Sequence, residues 1–266
     1  MKWLLLPVIA LLFIVPSSAY VHGDGGTGIA QDVNQPEYEK QPVTSGFNDI
    51  PDTGSRTGQD IDTGDSVREN PVRELTLQQY ITPGDRAVKA LAGEVDGLKE
   101  AYNAAGKWVY ISDEDLNRTD DRWFTPHEFL VDSPYYPANP LQGKVAGDCE
   151  EKANTLVSLL RTEGVQPEEV RVVLGEVSFS DVKMGHAWVE ILTDGQWLAL
   201  DPSWGPYWNA KSGKLVDRKA VSFDYYAEHT YPVVQVWVYY NDVYYLDARN
   251  NSGDFPDAWD SNPAAD

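Results

Sequence analysis

The sequence predicts an α+β fold, because it contains both helical and strand patterns. The helix is indicated by residues 149–163, where apolar residues recur at the spacing of a helix that buries one face. The sheet is indicated by three segments rich in β-branched and aromatic residues, 170–179, 185–192 and 196–200. Asp194-Gly195 joins the last two and is typical of a two-residue hairpin turn, so these two strands should be antiparallel.

Cys149 is expected at the first residue of the predicted helix. Asp148 suits the N-cap position, and Glu150 and Glu151 suit a first helical turn. Backbone N–H groups at a helix start have no acceptor within the helix, and they favour the thiolate form of a nearby cysteine. Cys149 is also the only cysteine in the chain, so it cannot form a disulfide within the chain. Its sulfur either forms a disulfide with another chain, lies buried and inert, or is reactive.

Four further elements are predicted on either side of this region. Apolar residues from Val88 to Tyr102 recur at helical spacing, which predicts one helix that opens at Pro83-Gly84 and ends near Gly106. Residues 107–111 predict a short strand, and Thr125 before Pro126 predicts a short capped helix. Residues 233–246 predict a hairpin around Asn241-Asp242.

The chain divides by composition into four parts. Residues 1–19 have a positive start, an apolar run and small residues, as in a secretory signal peptide; an uncleaved membrane anchor is the alternative. Residues 20–74 are polar and predict a flexible linker. Residues 75–248 should form the folded domain, and residues 249–266 an acidic tail that frays.

The charge of the chain argues against nucleic acid as a partner. Asp and Glu number 42 against 21 Lys and Arg, a net charge of −21, whereas phosphate recognition needs a basic surface. With the signal peptide, this charge predicts a secreted or extracytoplasmic protein, with a membrane tether only if residues 1–19 stay attached. The sequence does not indicate an oligomeric state.

No cofactor or metal is predicted, since neither a metal-ligand cluster nor a phosphate-binding loop is evident. Asp113, Asp115 and Asn117 match the first positions of a calcium loop. Arg118 stands where that loop needs glycine, and Phe124 stands where it needs the closing glutamate. We therefore interpret residues 112–121 as an exposed acidic turn.

His186 and Asp201 lie on the two arms of the Asp194-Gly195 hairpin. In a two-residue turn Thr193 faces Gln196, so His186 and Asp201 become diagonal neighbours on one face of the sheet. Their Cβ atoms would lie about 7–8 Å apart, which lets a carboxylate bond an imidazole. Cys149 as nucleophile, His186 as base and Asp201 as orienting carboxylate then have the roles of a cysteine-based triad.

Three tryptophans and one backbone group are further candidates for the site. The backbone N–H of Cys149 is a candidate oxyanion donor, and the indole N–H of Trp123 is a second one, with core packing as the alternative. Trp188 and Trp204 either line a substrate cleft or belong to the core.

Three stretches resemble the core motifs of the transglutaminase-like superfamily: residues 147–151, 185–190 and 197–204. The resemblance covers about residues 123–205, and residues 123–130 resemble the lead-in helix of the bacterial cysteine-proteinase branch. It implies a papain-like arrangement, in which a nucleophile helix packs on an antiparallel sheet that carries histidine and aspartate. Cys149, His186 and Asp201 match the triad positions of that family.

The resemblance implies an enzyme that forms a thioacyl intermediate at Cys149 from an amide of a protein or peptide and releases it to water or to an amine. The enzyme would be a cysteine peptidase or amidase, or a protein-glutamine acyltransferase that crosslinks. A catalytically idle binding module on the same fold is the further alternative. We favour hydrolysis because crosslinking requires an amine site and the exclusion of water, and the sequence indicates neither.

Overall fold

The structure, a computed structural model, describes residues 77–260 of the chain. Its strands are β1 (Val109–Tyr110), β2 (Ala146–Gly147), β3 (Val170–Phe179), β4 (Val182–Thr193), β5 (Gln196–Leu200), β6 (Tyr207–Asn209), β7 (Lys214–Val216), β8 (Val233–Tyr240), β9 (Tyr245–Asp247) and β10 (Ser252–Asp254). Its α-helices are α1 (Arg86–Ala92), α2 (Leu98–Ala105), α3 (Asp113–Asn117), α4 (Cys149–Thr162), α5 (Phe223–Glu228) and α6 (Asp257–Asp260). Single helical turns of other types occupy Glu128–Asp132, Ser133–Tyr135 and Pro167–Glu169.

The larger sheet has six antiparallel strands in the order β10-β9-β8-β3-β4-β5. The predicted β4–β5 register is confirmed, since Thr193 pairs with Gln196. Asp194 and Gly195 both have positive φ, 52° and 77°, as a tight hairpin turn requires. The hairpin predicted in residues 233–246 is present as β8 and β9. The fold is therefore α+β, as the sequence predicts.

Helix α4 packs on this sheet and is buried on every side from Cys149 to Leu160. Alternate residues of β3, including Val172 and Leu174, share a hydrophobic cluster with Leu156 and Leu160 of α4. Burial of each such leucine contributes about 2 kcal/mol. The polar residues of α4 need internal partners, and Ser158 accepts a hydrogen bond from the Thr82 backbone N–H at 2.9 Å. This packing fixes the position of Cys149 relative to the sheet.

A second sheet, of order β2-β1-β6-β7, lies where the chain enters α4 and where it leaves Asp201. Strand β1 is parallel to both of its neighbours. The Ile111 N–H donates to the Gly147 carbonyl at 3.0 Å, and the Tyr110 N–H donates to the Pro206 carbonyl at 2.9 Å. Strand β1 thus connects the segment before Cys149 with the segment after Asp201.

The one helix predicted from Pro83 to Gly106 is two helices, α1 and α2. Gly93 follows the end of α1, and Gly97 has a φ of 80° before α2 begins. A residue in this left-handed region cannot continue a right-handed helix. The apolar periodicity runs through the break because both helices pack on the same core.

The end of the described chain is more ordered than its acidic composition indicates. Residues 252–254 form β10, and Trp259 is only 1% exposed. The indole N–H of Trp259 donates to the Glu168 carbonyl at 3.1 Å. Burial of one large aromatic side chain fixes a segment that the sequence predicted to fray after Ala248.

The predicted signal peptide (1–19) and linker (20–74) lie outside the described residues. Within residues 77–260, every helix is too short or too polar to cross a membrane.

Candidate active site

His186 and Asp201 meet where β5 ends. The His186 Nε2 atom lies 2.8 Å from Asp201 Oδ2, and both side chains are buried. Strand β5 ends at Leu200, opposite Val189, so both residues lie beyond the paired part of the hairpin. The two predicted partners are thus in direct contact.

Four hydrogen bonds besides that of His186 hold Asp201. The Ser203 N–H donates to Oδ1 at 2.8 Å, and the Tyr231 hydroxyl donates to Oδ2 at 2.6 Å. The hydroxyls of Tyr102 and Tyr226 donate to the Asp201 backbone carbonyl at 3.2 and 3.0 Å. Burial alone would raise the pKa of Asp201, but His186 and the donated hydrogen bonds lower it below its ordinary value. Asp201 is therefore a carboxylate at neutral pH.

The charges around His186 favour the imidazolium form. Burial alone would lower the pKa of His186, but the Asp201 carboxylate and the Cys149 sulfur raise it to about 10. The imidazole and the Phe179 ring are nearly perpendicular, with ring centroids 6.2 Å apart. His186 is therefore a charged, buried group with its ring held by packing and by Asp201.

Cys149 is the first residue of α4 and is 5% exposed. Its sulfur interacts with His186 and lies 3.3 Å from Glu150 Oε2. Burial, Asp148 and Glu151 raise the pKa of Glu150 well above its ordinary value. The protonated, neutral form of Glu150 is therefore favoured. The thiolate form of Cys149 then meets less negative charge than the acidic residues beside it in the sequence indicate.

A group of carboxylates, all buried except that of Asp121, adjoins the start of α4. Asp113, Asp148 and Glu151 place ligand oxygens within 4.8 Å of one another, and Asp113 does the same with Asp121 and Glu150. Asp148 Oδ1 is buried and has no hydrogen-bond partner within the described part of the chain. Carboxylate oxygens suit a hard cation such as Ca²⁺, and these residues could hold one.

The prediction of an exposed acidic turn is wrong for Asp113, which is 2% exposed. Burial and the Asp148 carboxylate raise the pKa of Asp113 to about 8. Asp113 accepts hydrogen bonds from the Arg122 backbone N–H and from Asn117. The sequence could not show this burial, because Asp113 is far from α4 in the chain and is brought to it by the pairing of β1 with β2 and by the packing of α3 on β2.

Lys152 is a buried basic residue that the sequence analysis did not single out. Its amine has no hydrogen-bond partner among residues 77–260. Burial lowers the pKa of Lys152 to about 7, although Asp201, Cys149 and Asp148 favour its charged form. The sequence spacing could have placed Lys152 near the site, since a residue three positions after Cys149 lies on the same face of a helix.

The three tryptophan candidates have different environments. Trp123 is partly exposed and packs on Tyr80, with ring centroids 5.2 Å apart. Trp188 is 0% exposed and its indole N–H donates to Glu190 at 3.4 Å, which places it in the core. Trp204 is also buried, 4.7 Å from the Phe179 ring. Trp188 therefore lies in the core, whereas Trp204 also lines a small cavity of about 20 Å³ together with Tyr226 and Tyr231.

The segment that carries Trp123 is attached to the first turn of α4. Glu151 Oε1 accepts the Phe124 backbone N–H at 3.1 Å, and Glu151 Oε2 accepts the Asp148 backbone N–H at 2.9 Å. One buried carboxyl group thus joins the chain next to Trp123 to the chain next to Cys149.

One family model and several solved structures match this chain. Residues 120–202 match the family model of the transglutaminase-like superfamily. Among solved structures, LapG of Legionella pneumophila is 18% identical with a TM-score of 0.38, over 61% of this chain and 86% of that chain. A calcium-bound form of LapG is 16% identical with a TM-score of 0.36, over 65% and 93%.

A candidate cysteine protease of Cytophaga hutchinsonii is 16% identical with a TM-score of 0.33, over 52% of this chain and 43% of that chain. No curated protein matches the sequence at a significant level. The family match rests on the segment that contains Cys149, His186 and Asp201.

Proposed function

We propose that this chain, whose residues 120–202 form a transglutaminase-like core, is a cysteine hydrolase that cleaves amide bonds in a protein or peptide. The observation that carries the proposal is the buried His186–Asp201 pair, 2.8 Å apart, beside the sulfur of Cys149. An imidazolium held by a carboxylate next to a cysteine at a helix start is the arrangement that activates a thiolate nucleophile.

The first half of the reaction forms a thioester. The Cys149 thiolate attacks the carbonyl carbon of the amide, and the carbonyl oxygen becomes an oxyanion. His186 then gives its proton to the leaving nitrogen, the C–N bond breaks, and an amine departs. The acyl group stays on the sulfur, and His186 is left neutral.

The second half returns the enzyme to its starting state. Neutral His186 takes a proton from water, and the resulting hydroxide attacks the thioester carbon. The C–S bond breaks, a carboxylic acid leaves, and the thiolate–imidazolium pair is restored. Asp201 holds the imidazole in one tautomer and stabilises its charged form in both halves.

The oxyanion needs donors close to Cys149. The Cys149 backbone N–H is suitable because the first N–H groups of a helix have no acceptor within that helix. Trp123 is the second candidate, since the Phe124–Glu151 hydrogen bond holds its segment at the first turn of α4.

A hard cation, when bound, would neutralise charge among the carboxylates at the start of α4. Asp113, Asp148 and Glu151 would hold it, and the partnerless Asp148 Oδ1 fits such a role. These same residues also position the N-terminal end of the nucleophile helix.

We further propose that the protein acts outside the cytoplasm. The signal-like sequence of residues 1–19 and the acidic net charge of −21 support this location. A hydrolase carried on a long polar segment, residues 20–74, would reach proteins at or near the cell surface.

The first prediction tests the nucleophile and its base. Wild-type protein should cleave members of a peptide library, and Cys149→Ala should lose at least about a thousandfold of that activity because no thioester can form. A thiol-alkylating probe should label wild-type Cys149 at mildly acidic pH, and His186→Ala should slow this labelling.

Two results would count against the proposal. Cleavage that survives in Cys149→Ala would remove Cys149 as the nucleophile, and alkylation with the pH profile of an ordinary thiol would leave no activated sulfur. Incorporation of a primary amine into a glutamine peptide in place of hydrolysis would instead identify an acyltransferase.

A further inference from the structure

We propose that Tyr231 is a positioning residue that holds the Asp201 carboxylate in its ionised form and in line with His186. This inference rests on the proposed function, because it concerns the residue that orients His186. It adds to the proposed site a residue from outside the segment of 120–202 that matches the family.

The contact is a short hydrogen bond to the atom that also meets His186. The Tyr231 hydroxyl donates to Asp201 Oδ2 at 2.6 Å, and His186 Nε2 lies 2.8 Å from the same oxygen. The Ser203 N–H donates to the other oxygen, Oδ1, at 2.8 Å. Each carboxylate oxygen thus has a donor that fixes it independently of His186.

The Tyr231 ring is held by packing on three sides. Its centroid lies 5.4 Å from Trp188, 6.0 Å from Phe179 and 6.3 Å from Tyr226. Trp188 and Phe179 belong to the central strands β4 and β3, so the hydroxyl is aimed by the sheet core. A pre-positioned donor loses little entropy when it bonds the carboxylate.

Two other tyrosines near Asp201 differ from Tyr231 in what they contact. Tyr102 and Tyr226 donate to the Asp201 backbone carbonyl, so they fix the main chain and leave the carboxylate untouched. Among residues 77–260, the side chains that bond the carboxylate itself are those of His186 and Tyr231.

The hydrogen bond from Tyr231 lowers the affinity of Asp201 for a proton. The charged groups that face Asp201 are His186, which bonds it, and Lys152, whose amine interacts with it from α4. A hydroxyl donor stabilises the carboxylate and has no equivalent interaction with the protonated acid. Loss of the hydroxyl should therefore move protonation of Asp201 to higher pH.

The test uses alkylation of Cys149 by iodoacetamide, which needs no knowledge of the natural substrate. The rate is measured against pH for wild type, for Tyr231→Phe and for protein with 3-fluorotyrosine at position 231. The acid limb of this profile is the fall in alkylation rate toward low pH. In Tyr231→Phe the acid limb should move to higher pH by about half to one pH unit, so that the rate at a given pH on that limb falls about three- to tenfold. Fluorotyrosine has a more acidic hydroxyl and donates more strongly, so its acid limb should move down.

Tyr244→Phe is the matched control. The hydroxyl of Tyr244 also donates to a carboxylate, Glu168 Oε1, at 2.9 Å, and the charged groups that act on it are Glu168 and Asp254. This variant should keep the acid limb of wild type. An equal shift in Tyr244→Phe would overturn the proposal, because the effect would then follow from general loosening.

The outcomes separate this inference from the proposed function. If wild-type Cys149 is alkylated at mildly acidic pH and Tyr231→Phe has the same acid limb, the proposed role of Tyr231 is wrong and the proposed hydrolase function stands. If wild-type Cys149 has the pH profile of an ordinary thiol, both proposals are wrong. If Tyr231→Phe does not fold, the fluorotyrosine protein decides, since it keeps the hydroxyl and the ring.

Discussion

At the scale of single residues, the site depends on buried charges that stabilise one another. Asp201 is 0% exposed, and a bare carboxylate in such a place would be strongly disfavoured. His186, Ser203 and Tyr231 supply three donors to its two oxygens. The same carboxylate raises the pKa of His186, so the two charges exist only as a pair.

This pairing predicts a pH-dependent contribution to stability. Asp201→Asn should cost about 3–5 kcal/mol near pH 6, because it leaves a buried imidazole without its counter-charge. The pKa of His186 rises from 6.5 in the unfolded chain to about 10 in the folded protein. Its contribution is therefore complete below pH 6.5 and is lost as the pH rises through about 10.

Urea unfolding of wild type and Asp201→Asn at a series of pH values measures this difference. Asp242→Asn is the control, since it breaks an ion pair with Arg161 and contacts neither His186 nor Asp201. A difference between wild type and Asp201→Asn that stays constant from pH 6.5 to about 10 would contradict the assigned charge states.

At the scale of elements, the start of α4 is the point where separate parts of the chain join. Strand β1 bonds the segment before Cys149, and Glu151 bonds both the Asp148 and the Phe124 backbone. The helix packs on β3 and β4, and β4 carries His186. The distance between Cys149 and His186 is thus set by how α4 packs on the sheet.

Glu151→Ala should loosen this junction. The buried backbone N–H groups of Phe124 and Asp148 lose their acceptor, and each loss costs about 1–3 kcal/mol of stability. Removal of the Glu151 carboxyl group also removes its repulsion with Asp148, which offsets part of that cost. We expect a net loss of about 1–3 kcal/mol in chemical unfolding and slower alkylation of Cys149. Glu169→Ala removes a similar cap from Gln166 at the surface and should change stability by less than about 1 kcal/mol.

Unchanged stability and alkylation in Glu151→Ala would mean that the junction is held by packing alone. The capping hydrogen bonds of Glu151 would then be a consequence of the fold and not a cause of it.

At the scale of the whole molecule, the chain has a net charge of −21 and concentrates buried carboxylates next to Cys149. Asp113, Glu150 and Glu151 all have raised pKa values, chiefly through burial and the nearby Asp148. Protonation of these carboxylates, or a cation bound among them, would reduce their mutual repulsion and stabilise the folded protein. The packing of the sheet and the helices must offset the free energy that this repulsion costs.

Calcium should raise the thermal unfolding temperature at neutral pH, and EDTA should reverse the effect. At a concentration of about a hundred times its Kd, a ligand adds about 2.7 kcal/mol to the free energy of unfolding. Asp113→Asn should reduce the calcium effect by removal of one charged ligand. NaCl at equal ionic strength is the control, and an equal response to NaCl would reduce the effect to general screening.

Much of the fold and of the candidate site could be predicted from local patterns. The α+β class followed from the periodicity of residues 149–163 and the β-branched strands, and the Asp194-Gly195 turn fixed the register that brings His186 to Asp201. The break between α1 and α2 was missed because apolar spacing continues through Gly97. The ordered segment around Trp259 was missed because the prediction of a frayed tail rested on acidic composition. Composition does not show that one buried side chain, that of Trp259, holds this segment in place.

The sequence by itself determined which residues could carry the proposed chemistry: one cysteine at a helix start, and a histidine and an aspartate in register across a hairpin. These features are local, since they depend on helix capping, turn geometry and strand alternation. The tertiary structure alone decided that Asp113 is buried, that Lys152 lies beside the site and that Tyr231 bonds Asp201. Each of these contacts joins residues far apart in the chain, and only the packing of α4 and β1 against their neighbours brings them together.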